Sequence, residues 1–441
     1  MKKIILTIML LASFIFAAVG PVSQYGQLMA GKNSSGKGQI YGSCQGVKDG
    51  SEVQVKGMSL YWSLKDEAVE YWNADAVGTM VKNMNIQLIR AAMATEEDWK
   101  NGYQGYTKDP NTQKNLVNGV VQGAINNDIY VIIDWHSHCA ENQTQAAVGF
   151  FTEMAQKWGK YDNVIFEIYN EPKNNCGEQY PDTNAAKSYW SSKIKPYAET
   201  VIKAIRQHSD NLVLVGTPYY DQFTNAPITN PLSDNNVAYT FHYYAMTHKT
   251  GGEGANALKA MKAGLSVFVS EWGTGTADGG GTPGETQNNS WQSWVNNHKL
   301  SWANWSASHI SEGTAAFNGG SNRYSISFTN SGNMVKGYLS SNPKTYTACG
   351  GTPTPTPVSS SSSVIKSSSS VWVPQSSSSS MPCEWTNTCQ TTGIILKEPE
   401  ITNKEVRFIF DIRGQRINTI TVPGTYIKLY TDGTRGMYRE F

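Results

Sequence analysis

The chain has 441 residues, a formal net charge of +1 and only 16% charged residues, a balance that excludes the basic surface of a nucleic-acid binder or of a polybasic membrane coat and points to an uncharged partner. Its length exceeds one ordinary core unless a large barrel is present. Aromatic residues reach 11%, including 13 Trp and 23 Tyr, which suits either a large core or faces that stack on flat rings.

The chain opens with Lys2 and Lys3, an apolar run from Ile4 to Val19 and the small residues Ala17, Ala18 and Gly20. This is the pattern of a signal peptide over 1–20. The run is shorter than the ~20 apolar residues of a spanning helix, and no later stretch is apolar enough to cross a bilayer. A secreted, extracellular or surface-associated protein without a membrane span is therefore expected.

From 21 to 350, apolar runs of strand length alternate with segments of helical period, as in βα units feeding a parallel sheet. The strand candidates are 53–60, 86–93, 130–136, 164–171, 211–217, 237–244, 266–273 and 300–307. Helical candidates lie at 74–84, 112–126, 144–158, 186–207, 255–263 and 286–298, with the connection after 217 the least defined. Eight such units in about 250 residues have the size of a (β/α)8 TIM barrel, an α/β fold.

Beyond 350 the composition changes to TPTPTP and serine runs, a Thr/Pro/Ser-rich linker over 351–382 that cannot bury a core. A small β-rich C-terminal module follows over 383–441, with strand-like runs at 405–412, 417–422 and 425–430. All six cysteines lie in the exported part, where disulfides form. Six cysteines allow 15 pairings. Cys139 and Cys176 follow the third and fourth strand candidates, so neighbouring loops can bring them within the ~6 Å a bridge requires. A Cys139–Cys176 pair is expected, Cys383 and Cys389 are close neighbours in the tail, and by elimination Cys44 pairs with Cys349.

Polar residues gather at one end of the apolar runs. Arg90, His136, Asn170 with Glu171, His242 with Tyr244, Glu271 and Trp305 all sit at or just past strand C-termini, which in a TIM barrel form the catalytic face. Two carboxyl groups facing each other there suit glycosidic bond cleavage, in which one acid protonates the leaving oxygen while the other carboxylate attacks or activates water. A single strand-end carboxylate pairing with a nearby Arg is as often structural; two of them among Arg, His, Tyr and Trp favour catalysis.

In order, the segments YGQL (25–28), VKGMS (55–59), IRAAM (89–93), VIIDWH (131–136), EIYNEP (167–172), TFHYYAMTH (240–248), VFVSEWG (267–273) and SWANWS (301–306) closely resemble glycoside hydrolase family 5, in its bacterial secreted endo-β-1,4-glucanase branch. The resemblance covers about 22–310 and implies a retaining hydrolase acting on β-glucan polysaccharide without cofactor or metal. It gives Glu171 the role of acid/base and Glu271 that of nucleophile. Arg90 and Tyr244 would contact Glu271, Asn170 would bind the 2-hydroxyl of the reacting sugar, His136 and His242 would hold that sugar and the acid/base network, and Trp305 would be its stacking floor. Trp62 and Glu312 are further substrate-binding candidates, whereas Tyr61 and Trp272 suit subsite or packing equally. One departure stands out: in SASHISE, Ile310 takes the place of the lysine in the branch's S-x-x-x-K-x-E pattern, while Glu312 remains.

Other features have blander explanations. His136, His138 and Cys139 lack a nearby fourth ligand for a metal, and His138 reads as a loop residue. Asp134 is expected to serve structure beneath the site. The tail resembles short modules that follow Ser-rich linkers in secreted fibre-degrading enzymes, some acting in sorting or cell-surface attachment; its few aromatics argue against a carbohydrate-binding role.

Overall fold

The structure, a computed structural model, describes residues 19–97 and 102–349 and four strands of the tail. All but the last two residues of the expected signal peptide, the linker and the Cys383/Cys389 pair lie outside the described residues. Barrel and tail belong to separate units divided near Ser359.

An antiparallel hairpin comes first, β1 (Leu28–Lys32) and β2 (Gly38–Gly42). Eight parallel strands then close into a barrel in chain order: β3 (Lys56–Leu60), β4 (Leu88–Ala94), β5 (Tyr130–His136), β6 (Val164–Glu167), β7 (Val213–Val215), β8 (Val237–Tyr244), β9 (Val267–Gly273) and β10 (Trp302–Ala307), the last pairing back to β3. All eight strand candidates are therefore present. Their side chains alternate: Leu88, Ile132, Ile165, Leu214, Ala238, Phe268 and Ala303 form an inner cluster with Leu28 and Ile40 of the hairpin, while Ile89, Val131, Phe166 and Val269 join the layer containing the helices' apolar residues. The hairpin, which sequence alternation did not suggest, thus shares the inner core. Gly57 is required by close approach, because a Cβ there would stand 1.7 Å from the Leu88 carbonyl oxygen.

The outer helices include α1 (Ala74–Met84), α2 (Pro110–Asn126) and α3 (Thr144–Trp158). Asn73 caps α1 by accepting from the Ala76 amide, and left-handed Asn85 ends it. Asp109 caps α2 ahead of Pro110. The helix expected over 186–207 is instead α4 (Thr183–Tyr189), a π turn at Trp190–Ile194 and α5 (Lys195–Ile205). Pro196 has no N–H to give to the preceding turn, which locally breaks the regular ladder. α6 (Glu253–Lys262) and α7 (Glu285–Asn297) match their expected spans closely, and α8 (Asn330–Leu339) follows the last strand. Among the described residues no helix is long and apolar enough to cross a membrane.

Cys139 pairs with Cys176, and Cys44 with Cys349 across 305 residues of chain. The first joins the loops after β5 and β6; the second ties the two ends of the barrel unit. The tail strands β11 (Val406–Asp411), β12 (Arg416–Ile417), β13 (Gly424–Tyr430) and β14 (Arg435–Glu440) form one antiparallel sheet in the order β12-β11-β13-β14. The fourth was not evident from the sequence, because its charged residues break the apolar pattern.

Candidate active site

At the C-terminal mouth of the barrel, inward positions change from apolar to ionisable. Two residues past Leu88 on β4 stands Arg90; past Ile132 on β5 stand Asp134 and His136; past Ile165 on β6 stands Glu167. Arg90 is fully buried, and all three of its guanidinium nitrogens are engaged. Nε donates to Glu167 at 2.6 Å, Nη1 to Glu271 at 2.8 Å and Ser59 Oγ at 3.4 Å, and Nη2 to Asn170 Oδ1 at 2.7 Å, while Nη2 also forms an ion pair with Asp134 at 2.9 Å. It therefore lies under the cleft as a positioning residue, not on the wall as a sugar-binding one. Tyr244 likewise turns its hydroxyl to Glu271, donating at 2.8 Å.

Strict alternation from Phe268 would point Ser270 inward and Glu271 out toward the helices. Both neighbouring strands show an extra residue in β9: Thr240 and His242 of β8 face Phe268 and Glu271, and Trp302 and Asn304 of β10 face Val269 and Trp272. This bulge lets Ser270 and Glu271 both face inward and sends Trp272 to the outer core against Tyr243 and Trp302. Trp272 is fully buried and away from the cleft.

Glu171 is reached differently. The fourth strand ends at Glu167 rather than at 171, and Glu171 has a left-handed φ of 43°. Such a conformation in a non-glycine residue persists only when its surroundings hold it. Asn170 N–H donates to the Trp135 carbonyl, and Glu171 N–H to Asp221 Oδ2 at 3.1 Å. Asp221, in the loop after β7, is buried and also accepts from Thr217 N–H and the Thr240 hydroxyl. One oxygen of Glu171, one of Glu271 and a ring nitrogen of His242 lie within 4.8 Å of one another. His242 bridges Glu171 Oε1 at 3.0 Å and Ser270 Oγ at 2.9 Å.

The two carboxyl groups are driven apart in acidity. Burial, reinforced by the charge of Glu271, pushes Glu171 up to about 8. Burial alone would raise Glu271 too, but His242, the permanently charged Arg90 and the Tyr244 hydroxyl together hold it below the ordinary carboxylate value. Arg90 cannot neutralise three carboxylates: burial lifts Asp134 to about 7 and Glu167 to about 6 against its pull. Burial, followed by Arg90, drives His136 well below the usual imidazole value. The neutral ring, 2.7 Å from Asp134 through Nδ1, then keeps Nε2 as its remaining polar atom.

Aromatic rings complete the cleft. Trp305 stacks on His136 at 5.5 Å and 5°, with Tyr61 5.0 Å away. Trp62 meets His136 edge-on at 5.0 Å. Tyr61 donates to Glu312 at 3.1 Å, and Asp278 and Gly279 close that rim. Trp62, His136, Glu171, Tyr244, Glu271, Trp305 and Glu312 all line the same cleft. Asn170 lies buried beneath, its Nδ2 without a protein partner among the described residues.

His138 belongs here as well: it lies in the loop after β5, as expected, and that loop lines the cleft, with Nδ1 3.2 Å from the Glu171 carbonyl and 3.9 Å from its carboxylate. His136, His138 and Cys139 do not converge as ligands, since Cys139 is bonded to Cys176 and the two rings face Asp134 and Glu171. Sequence reading also missed Glu167 and Asp221. A charged residue inside the apolar run VIFE was a usable signal for Glu167; nothing local marked Asp221.

Comparison with known proteins places this arrangement among relatives. The family profile described as Cellulase (glycosyl hydrolase family 5) matches residues 47–311. Endoglucanase Z of Dickeya dadantii is 40% identical over 291 residues, 65% of this chain; the match spans 62% of that relative's length. A solved structure from Cytophaga hutchinsonii superposes with a TM-score of 0.64 at 35% identity, covering 73% of this chain and 96% of that one. The catalytic domain of Thermobifida fusca endoglucanase Cel5A, solved as a variant in complex with cellotetraose, gives 0.58 at 26% identity, covering 73% and 100%.

Proposed function

The chain belongs to the cellulase family, glycosyl hydrolase family 5, and from that premise we propose that it cleaves internal β-1,4-glucosidic bonds of cellulose and related β-glucans by double displacement. The observation that carries the reading is the juxtaposition of Glu171 and Glu271, with oxygens within 4.8 Å and acidities displaced in opposite directions. That closeness suits the ~5–5.5 Å carboxyl separation of retaining glycosidases, which leaves no room for an attacking water. The cellotetraose held by the Thermobifida relative supports a β-glucan as the ligand.

In the first step ionised Glu271 attacks the anomeric carbon, the glycosidic C–O bond breaks, and protonated Glu171 gives its proton to the departing oxygen. In the second, Glu171 takes a proton from water, whose oxygen displaces Glu271 from the same carbon. Arg90 and Tyr244 aim Glu271 and keep it ionised. The unpartnered Nδ2 of Asn170 suits the sugar 2-hydroxyl. His136 and His242 hold the sugar and the acid/base pair, Trp305 is its floor, and Trp62 and Glu312 contact sugars farther along.

The pH dependence follows with a definite sign. Activity needs Glu271 ionised and Glu171 protonated, so kcat/KM should rise through a pKa below the usual glutamate value of 4.5 and fall through one near 8. Both apparent values belong to the interacting pair. A pH profile on soluble carboxymethylcellulose checks this, and a plateau persisting beyond about pH 10 would contradict the assignment of the acid.

Residues 1–20 act in export, and the β-rich tail acts in sorting or surface attachment rather than in turnover. A chain ending at Cys349 should hydrolyse soluble glucan within about two-fold of the full chain, since every proposed reacting residue precedes the linker. Its products on cellulose, lichenan, glucomannan and mannan test the substrate. Short oligosaccharides from the first two are expected; release from mannan alone would overturn the reading, and a folded but inactive truncation would place the tail in the site.

A further inference from the structure

Asp221 is a buried acid to which the proposed reaction gives no part. It ends a run of three left-handed residues, Tyr219, Tyr220 and Asp221, with φ of 55°, 54° and 60°, a conformation that non-glycine residues keep only under constraint. Tyr220 N–H donates to the Pro172 carbonyl, and Asp221 N–H to the Thr217 carbonyl. The run turns the Asp221 carboxyl inward, where it is fully buried.

Its two oxygens have separate partners. Oδ1 accepts from the Thr217 amide and the Thr240 hydroxyl, which anchors the side chain to its own turn and to β8. Oδ2 accepts from the Glu171 amide at 3.1 Å and lies 3.4 Å from His242 Nε2. The other nitrogen of that ring, Nδ1, is 3.0 Å from Glu171 Oε1. One oxygen thus reaches the backbone of the glutamate directly and its carboxyl through an imidazole. A carboxylate can do this because both of its oxygens accept, whereas an amide of the same shape accepts on one side only.

We propose that Asp221 is a positioning residue for the general acid: through Oδ2 it fixes the Glu171 turn and the facing edge of His242, so that the Glu171 carboxyl is presented to the departing oxygen. The proposal rests on the glucanase reading, which makes Glu171 the acid. Charge acts in the same direction as geometry. Glu171 is faced by Glu271 of β9, His138 of the loop after β5, Arg90 of β4 and Asp134 of β5. Asp221 is faced by His242 of β8, with Glu167 of β6 3.9 Å from the same Nε2; the Tyr220 hydroxyl is bound to Glu178. Burial lifts Asp221 to about 7 against the pull of His242, still below the value of about 8 for Glu171. The last proton of the pair therefore stays on Glu171, and Asp221 is by then an anion that opposes its loss.

The test compares turnover of cellohexaose with the burst of dinitrophenol from a dinitrophenyl β-cellobioside, whose leaving group needs no proton. Asp221→Asn keeps the shape but replaces one acceptor by a donor. Its kcat on cellohexaose should fall about 10- to 100-fold, the scale of a misplaced reacting group, with KM within about two-fold of wild type. The burst rate should stay within about three-fold, and the alkaline limb on cellohexaose should move down by about 0.5–1 pH unit, since a negative charge beside Glu171 is gone. Thr240→Val, which removes a donor to Oδ1 without touching Glu171, should give the same split between substrates to a smaller degree. It decides the matter where circular dichroism shows Asp221→Asn unfolded, and no split in it would then overturn the role. Equal slowing of both substrates, or an unmoved alkaline limb in folded Asp221→Asn, would overturn it too, while wild-type turnover upholds the glucanase reading. Wild-type inactivity on both substrates would remove that reading and this role with it.

Discussion

Glu271→Ala is expected to reduce turnover on the order of 10^6-fold, even on an activated nitrophenyl glycoside, because the group that forms the covalent intermediate is gone. Leaving-group activation cannot compensate for a missing nucleophile. Azide admitted into the space should attack from the same side as the lost carboxylate and give only the α-glycosyl azide. The substitution also leaves one Arg90 donor without its partner at 2.8 Å, so circular dichroism must establish that the variant is folded. A folded Glu271→Ala protein retaining more than about a hundredth of wild-type kcat would assign the nucleophile elsewhere.

Glu171→Ala should show a different signature. Loss of a general acid costs roughly 10^2- to 10^4-fold, but only where the leaving group needs a proton. Cello-oligosaccharides should therefore slow by that factor, while a dinitrophenyl cellobioside should still react rapidly in the first step and accumulate the glycosyl-enzyme. Azide should accelerate the second step and yield a β-glycosyl azide. The alkaline limb near pH 8 that burial and Glu271 impose on Glu171 should disappear with the side chain. Equal slowing of both substrate types would place the acid on another residue.

The barrel was legible because its strands are short apolar runs at regular intervals, and buried parallel strands need little else to be recognised. Residues at the mouth were legible as types for the same reason: Arg90 and His242 interrupt apolar runs and His136 closes one. What the sequence could not convey was aim. A two-residue period turns Glu271 outward, and only the bulge in β9, visible in its pairing with both neighbours, reverses it. Arg90 could be paired with Glu271, but not seen to donate also to Glu167, Asn170 and Ser59 and to pair with Asp134. Glu171 lies beyond its strand in a left-handed turn supported by Asp221, 50 residues onward, a dependence with no local signal. The π turn before Pro196 and the left-handed run at Tyr219 show the same limit, since each depends on contacts distant in the chain.

The central claim is that Glu171 and Glu271 work as acid/base and nucleophile on one internal β-1,4-glucosidic bond. Its most direct test is proton NMR of the first products released from cellohexaose, read before the new reducing ends mutarotate. Two successive displacements at the same carbon predict the β-anomer at the new end of internally cleaved fragments. Initial appearance of the α-anomer would mean a single displacement by water and would contradict the roles of both glutamates.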